Sequence, residues 1–265
     1  MDAYPGILVG ADGSSDSEVA IELGATLAVG LAVGVTVVTV WDGYTNVPEP
    51  QSFEWAREAS ETAQAKLRSL GVTDVSVLQP TGTPADQLVA VSADHPDSLL
   101  IVGGASLGNA KDRVLGSVAN RLSHHSESDV LFAHHTLPAR WQSIALTTDG
   151  STTSRQSVRR GMQLAHAMGA TPHLVTVAKD QEEGERLMSA SIGELEFDEP
   201  DTELVRDVLI GLLPAKALVE AGPDYDLMVI GNRGMSGASR LLGSVANKVT
   251  HGLETNLLLV NTSSD

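Results

Sequence analysis

Residues 231–249, GNRGMSGASRLLGSVANKV, follow an apolar run at 226–230 (DLMVI) with the composition of a buried parallel strand. Glycines at 231, 234, 237 and 243 make the link between them flexible, and Gly243-Ser244 opens a segment with helical, amphipathic spacing. Strand, glycine-rich loop and helix start together make a seat for an anion, most often a phosphate. The glycines let backbone N–H groups come close, the helix dipole favours negative charge, and Ser244 adds a hydroxyl donor. The chain does this twice. Residues 99–103 (LLIVG) lead through ASLGNAKDRVL into GSVAN at 116–120, and GSVAN recurs at 243–247. Two phosphate cradles in two similar halves is the expectation.

The surrounding pattern repeats with them. Residues 7–11 (ILVGA) form an apolar strand that stops at Asp12-Gly13-Ser14-Ser15, a turn and helix-start signal. Val19, Leu23, Leu27 and Leu31 then stripe one helix face. Strands at 35–40 and 75–78, helices at 53–70 and 84–93, a strand at 99–102, a helix at 118–126 and a strand at 130–133 complete the first half. In the second, residues 144–147 end at Asp149-Gly150-Ser151, matching Asp12-Gly13-Ser14. A helix with Val158, Met162 and Ala165 on one face follows, then a strand at 174–178 and a helix at 182–195. A strand at 204–209, a helix at 214–221 and strands at 226–230 and 257–260 close the half, with the linker between halves near 135–141. Alternating β and α units with short connections predict parallel sheets covered by helices on both faces. The internal duplication divides the chain into 1–137 and 138–265. In such sheets ligands bind beyond the carboxyl ends of the strands, where strand order reverses, so Asp12 and Asp149 should lie beside the loops that begin at Gly103 and Gly231.

Composition narrows the function. At 265 residues each half can bury its own core, and 42% hydrophobic residues with mean hydropathy near zero describe a soluble globular protein. Without cysteine there is neither a disulfide framework nor a Cys-ligated metal. The start, MDAYPGILVGADGS, has neither a basic region nor a long apolar core, and no run approaches the roughly 20 residues of a membrane span. A cytoplasmic location is expected. The net charge of −17 argues against a nucleic-acid partner, though backbone dipoles can still hold a small nucleotide on an acidic protein.

Asp-Gly-Ser after the first strand, with Gly-x2-Gly-x9-Gly-Ser after the fourth, resembles the ATP-binding branch of the universal stress protein family, here as a tandem two-domain member. The resemblance covers nearly the whole chain and is most specific in VGADGS and GNRGMSG…LLGSVANKV. It implies α/β domains with five-stranded, doubly wound parallel sheets of order 3-2-1-4-5, packed as an intramolecular pseudo-dimer in which strand 130–133 faces strand 257–260. It implies ATP, with Mg²⁺, as the ligand. In the second half Asp149 would sit near the ribose, Val177 and Ile230 around the adenine, and Gly231, Gly234, Gly243, Ser244 and Val245 at the phosphates. In the first half Asp12, Val40, Val102, Gly103, Gly116, Ser117 and Val118 would take the same roles. Both halves depart from the pattern. The first has Ser106 at the second glycine position, and the second has eight rather than nine residues between Gly234 and Gly243. The second site is therefore favoured.

Other chemistries fit less well. Neither loop ends in Gly-Lys-Ser/Thr, so there is less to neutralise a γ-phosphate, which suits binding or slow hydrolysis better than fast turnover. Arg233 and Arg240 are candidates to add charge there, although surface arginine is the commoner explanation. Gly104-Ala105-Ser106-Leu107-Gly108 is a literal GxSxG after a strand, with Asp129 and His134 downstream. Its counterpart in the other half is Gly234, and no oxyanion motif precedes it, so a serine hydrolase is a remote alternative. The pairs His124-His125 and His134-His135 point in divergent directions and have no acidic partner at ligand spacing, so no metal site is expected. The remaining alternative is a nucleotide-free interaction module docking a protein partner through 180–201 or 44–51. A homodimer of tandem chains is compatible with any of these readings.

Overall fold

The computed structural model of the chain describes residues 4–43, 52–104, 117–134, 137–138, 140–192, 204–232 and 242–262. They fall into two compact units, the first ending at Leu137 and the second beginning at Pro138. The first unit alternates β1 (Ile7–Gly10), α1 (Ser15–Leu31), β2 (Val35–Val38), α2 (Phe53–Ser69), β3 (Val75–Leu78), α3 (Pro84–Asp94), β4 (Leu99–Gly103), α4 (Ser117–His125) and β5 (Asp129–Ala133). The second repeats it with β6 (Ser143–Thr147), α5 (Thr152–Met168), β7 (Thr171–Ala178), α6 (Gln181–Ile192), β8 (Val205–Ile210), α7 (Pro214–Ala221), β9 (Leu227–Gly231), α8 (Ser244–Gly252) and β10 (Asn256–Val260).

Each sheet is doubly wound. The order is β3-β2-β1-β4-β5 in the first unit and β8-β7-β6-β9-β10 in the second, with every pair parallel. The central strands read as unbroken apolar runs because helices cover both faces. Leu99, Leu100, Ile101 and Val102 in β4, and Leu227, Met228, Val229 and Ile230 in β9, are all buried. Strand order reverses between β1 and β4 and between β6 and β9, and those two crevices are where a ligand fits.

The helix stripes differ in detail from the sequence expectation. Leu23 and Leu27 are buried, but Val19 and Leu31 are only half-buried, and the inner face of α1 runs through Ala20, Gly24 and Ala28. In α5, Val158 and Ala165 are buried while Met162 is half-buried, because Gly161 and Leu164 form the contact line. Glycine at that point lets the helix lie closer to the sheet than a methionine-centred face would. A Cβ on Gly161 would run into Leu146 Cδ2 and come within 3.2 Å of Val229 Cγ2. Gly24 holds the equivalent place in α1, where a Cβ would lie 2.7 Å from Val9 Cγ2.

The two helices end differently. α5 closes on Gly169 in the left-handed conformation (φ 63°), its N–H donating to the Ala165 and His166 carbonyls. α1 closes in the same way on Ala32 (φ 55°), the one described non-glycine residue with positive φ. A left-handed alanine carries a steric cost of roughly 1–2 kcal/mol that glycine avoids, less glycine's greater entropy loss of about 0.5–1 kcal/mol. Ala32→Gly is expected to stabilise the first unit by about 0.5–1 kcal/mol, read as a higher midpoint in urea unfolding. A lower midpoint would count against this account of the cap.

Candidate functional site

The site in the second unit is built at the carboxyl ends of β6 and β9. β6 runs out at Thr147, and Asp149-Gly150-Ser151 turns the chain into α5, with Gly150 at φ 80°, a conformation that favours glycine. Ser151, not Asp149, caps the helix: its Oγ accepts the Ser154 N–H at 3.2 Å. Asp149 Oδ1 in turn accepts from the Ser151 N–H at 3.0 Å and the Ser151 hydroxyl at 2.5 Å, an Asx turn that fixes the cap. The first unit is built alike, with Ser14 capping Ser17 N at 3.2 Å and Asp12 Oδ1 holding Ser14 at 3.0 and 2.5 Å. In both units the carboxylates of Asp12 and Asp149 organise the capping serines.

Behind this turn lies a run of buried hydroxyls. Thr148 Oγ1 is 2.9 Å from Ser154 Oγ and 2.5 Å from Ser191 Oγ on α6, and accepts the Gly150 N–H at 3.1 Å. Thr176 on β7 donates to the Thr148 carbonyl at 2.8 Å.

On the other side, the base of the glycine-rich loop is tied by Asn232. Its carbonyl accepts the Gly243 N–H at 2.8 Å, drawing the two ends of the loop together. Its own N–H donates to the Val260 carbonyl at 2.8 Å. Its side-chain oxygen accepts from the Thr262 N–H and hydroxyl at 3.0 and 2.9 Å, and its amide nitrogen donates to Asn261 Oδ1 at 3.1 Å. α8 therefore starts at a fixed point. Its N-cap is Gly243, with no side-chain cap among the described residues, and the first helical bond is Asn247 N to the Gly243 carbonyl. The N–H groups of Ser244, Val245 and Ala246 precede the first intrahelical bond and have no partner within the helix, while α1 and α5 are both serine-capped.

Between the α5 turn and the α8 start is a cleft of about 270 Å³. One wall is apolar: Val175 and Val177 of β7, Leu187 of α6, Pro214 and Leu218 of α7, and Ile230. The other is polar backbone and hydroxyl: Thr148, Asp149, Ser154, Gly231, Gly243 and Ser244. An apolar slot beside a helix start whose first amides have no partner within the helix suits a ligand that joins an apolar group to an anion.

The first unit has a matching cleft of about 290 Å³. Val38, Val40, Leu88 and Val102 form its apolar side, and Asp12, Ser14, Asp16, Ser17 and Gly103 its polar side. The two volumes are alike, so any difference between the clefts lies in their chemistry. Here the residue after Gly103 is Gly104, whose N–H donates to the Ala133 carbonyl at 2.7 Å. It holds the place of Asn232 without a side chain to tie the loop.

The structure brings together Asp149, Val177, Ile230, Gly231, Gly243, Ser244 and Val245 in one cleft, and Asp12, Val40, Val102, Gly103 and Val118 in the other. Ser117 opens α4. Gly116, Gly234, Ser106, Arg233, Arg240, His135, the loop 44–51 and residues 193–203 lie outside the described residues. The sequence reading missed Asn232, Asp16, and the Thr148–Ser154–Ser191 hydroxyls. Asn232 stood inside the quoted GNRG motif, but its partners Asn261 and Thr262 are fixed only by β9–β10 pairing. Among the described residues no three His, Asp or Glu side chains gather as a metal set. A separate polar cluster lies toward the amino ends of the strands: His173 Nδ1 is 2.7 Å from Asp207 Oδ2, which also accepts the Tyr225 hydroxyl at 2.9 Å. Burial and the Asp207 carboxylate hold the Tyr225 hydroxyl protonated well above the usual tyrosine range.

Fold and clefts together define a tandem protein of two doubly wound α/β units, each open at its switch point. The family model described as the universal stress protein family matches residues 3–134 and 213–261, more than half of the chain, and the chain belongs to that family. A universal stress protein of Mycolicibacterium smegmatis is 28% identical, covering 96% of this chain and 96% of its own length. One from Mycobacterium tuberculosis is 26% identical, covering 97% of each. The crystal structure of a universal stress protein from Archaeoglobus fulgidus matches the fold with a TM-score of 0.75 at 19% identity, over 98% of this chain and 99% of that one. No described helix is long and apolar enough to cross a membrane.

Proposed function

We propose that this chain is an ATP-binding regulator of the stress response, with each unit a domain carrying its own cleft and the second unit holding the nucleotide. The observation that carries the reading is the uncapped start of α8, fixed by Asn232 and opening on a cleft with an apolar far wall. Val177, Ile230 and Leu218 would clasp the adenine, and Asp149 would reach the ribose. The backbone of Gly231, Gly243, Ser244 and Val245 would receive the phosphates. Mg²⁺ would supply the counter-charge that no P-loop lysine provides. The lack of that lysine favours holding ATP over cleaving it, and no residue is assigned a catalytic role. The protein would work in the cytoplasm, and a protein partner would sense whether the loop is ordered on nucleotide.

The test is to denature the purified protein and identify any released nucleotide by chromatography and mass spectrometry, alongside thermal melting with millimolar Mg-ATP. Bound adenine nucleotide, or a raised melting temperature, is expected. Ligand at a hundred times Kd adds about 2.7 kcal/mol of stability. No released nucleotide together with no thermal shift would move the function to the nucleotide-free interaction module.

A further inference from the structure

Gly231 and Gly243 line the second cleft, and Asn232 joins both of them to the chain that follows β10. Its carbonyl accepts the Gly243 N–H at 2.8 Å, at the N-cap of α8. Its N–H continues the β9–β10 ladder one step past the Gly231–Val260 pair, onto the Val260 carbonyl. Both lone pairs of its side-chain oxygen are taken by Thr262, one by the N–H at 3.0 Å and one by the hydroxyl at 2.9 Å. Thr262 is only 6% exposed, so water is no ready substitute for either bond. The first unit shows how much of this the fold requires. There the Gly104 N–H makes the same ladder bond, to the Ala133 carbonyl at 2.7 Å, with no side chain at all. The Asn232 side chain is therefore an addition to the fold and not a condition of it.

We propose that Asn232 is a positioning residue for the phosphates, and that the seating of Thr262 and the binding of ATP in the second cleft are coupled through it. This rests on the ATP reading above and adds a control point outside the cleft, since neither Asn232 nor Thr262 is among the residues that line it. The N–H groups of Ser244, Val245 and Ala246 hold an anion only if they converge on one point, and the bond from Gly243 to Asn232 sets where that helix start stands. Thr262 in turn holds Asn232 from its far side. Without Thr262, residue 232 is left chiefly with its backbone bonds. The three amides then lose their fixed direction, and the entropy of fixing it falls on the ligand. Such coupling is reciprocal: whatever Thr262 adds to ATP affinity, ATP adds to the seating of Thr262. A partner that held or displaced the chain just beyond β10 would tune the cleft without entering it.

The experiment is calorimetric titration of the intact chain with Mg-ATP and, separately, with adenosine. It compares wild type, Asn232→Ala, Thr262→Val, Thr262→Ser and the double variant Asn232→Ala with Thr262→Val. Asn232→Ala should weaken ATP binding at the second cleft about tenfold and Thr262→Val about threefold, while Thr262→Ser, which keeps the hydroxyl, binds as wild type. The double variant should bind no more weakly than Asn232→Ala alone, because both changes cut one linkage. Adenosine has no phosphate and should bind all five proteins alike. In wild type, Mg-ATP but not adenosine should slow hydrogen exchange at the Thr262 amide about threefold, read by NMR. Equal losses for ATP and adenosine would make Asn232 a structural prop of the cleft and overturn the proposal. So would additive losses in the double variant, unchanged ATP affinity in Asn232→Ala, or Thr262 exchange indifferent to ATP. Should Asn232→Ala fail to fold, Thr262→Val against Thr262→Ser and the exchange measurement decide. Absence of ATP binding by wild type would instead sink the ATP reading, and the coupling with it.

Discussion

Gly231→Val is expected to weaken Mg-ATP binding by the second unit at least a hundredfold. Gly231 is the last residue of β9, paired with Val260, and its backbone is not in the left-handed region that valine would resist. A β-branched residue suits a strand end, but Gly231 is buried, so a thermal melt must show that the variant folds. The same residue lines the cleft beside Gly243, at the one place where the β9 end and the α8 start converge. Three added carbons would stand where a phosphate must approach the backbone. Calorimetry with Mg-ATP and a parallel thermal melt separate the two effects. Unchanged affinity would falsify the assignment of this cleft.

The second large effect concerns the fold itself. Gly161→Val should destabilise the second unit by about 3 kcal/mol, lowering its melting temperature by roughly 10 °C. α5 lies on β6 and β9 with Gly161 at the contact, and any Cβ there overlaps Leu146 Cδ2 and crowds Val229. Both neighbours are buried central-strand residues with nowhere to retreat, since the strands on either side are paired. Gly161→Ala should fall between wild type and valine, because its smaller clash is partly offset by alanine's better helix propensity of about 1 kcal/mol. If Gly161→Val melts with wild type, the tight helix–sheet approach is not the constraint it is taken to be here.

Much of this architecture is legible in the sequence because two strong periodicities repeat. VTVVTV, LLIVG and DLMVI read as buried strands from their short apolar, β-branched-rich runs, and the recurrence of Asp-Gly-Ser and GSVAN aligned the halves. β3 and α7 follow the expected bounds residue for residue, and the other described elements differ by one or two residues at most ends. β7 is the larger exception. It starts at Thr171 rather than 174, since pairing with Ser143–Thr147 recruits Pro172 and His173, which local propensity would exclude. Hydrophobic periodicity placed Met162 in the α5 stripe because it weighs apolar size, and a glycine selected for close approach is invisible to it. The cleft residues followed from motif spacing, whereas Asp16 and Asn232 depend on what lies across the crevice. No spacing rule links Asn232 to Thr262.

The hydroxyl run behind the cleft also has a direction. Ser154 donates to the Ser151 carbonyl and Ser191 to the Leu187 carbonyl, which leaves the Thr148 hydroxyl proton for the Ser154 and Ser191 oxygens while Thr148 accepts the Gly150 N–H. All three protons are committed inside the protein, two of them to helix carbonyls. Such a wall is polar yet has no proton to offer an incoming anion. On the proposed reading, recognition of negative charge would fall to the amides and the Ser244 hydroxyl at the start of α8, and a ligand that cannot reach them would gain little from the hydroxyls behind the cleft.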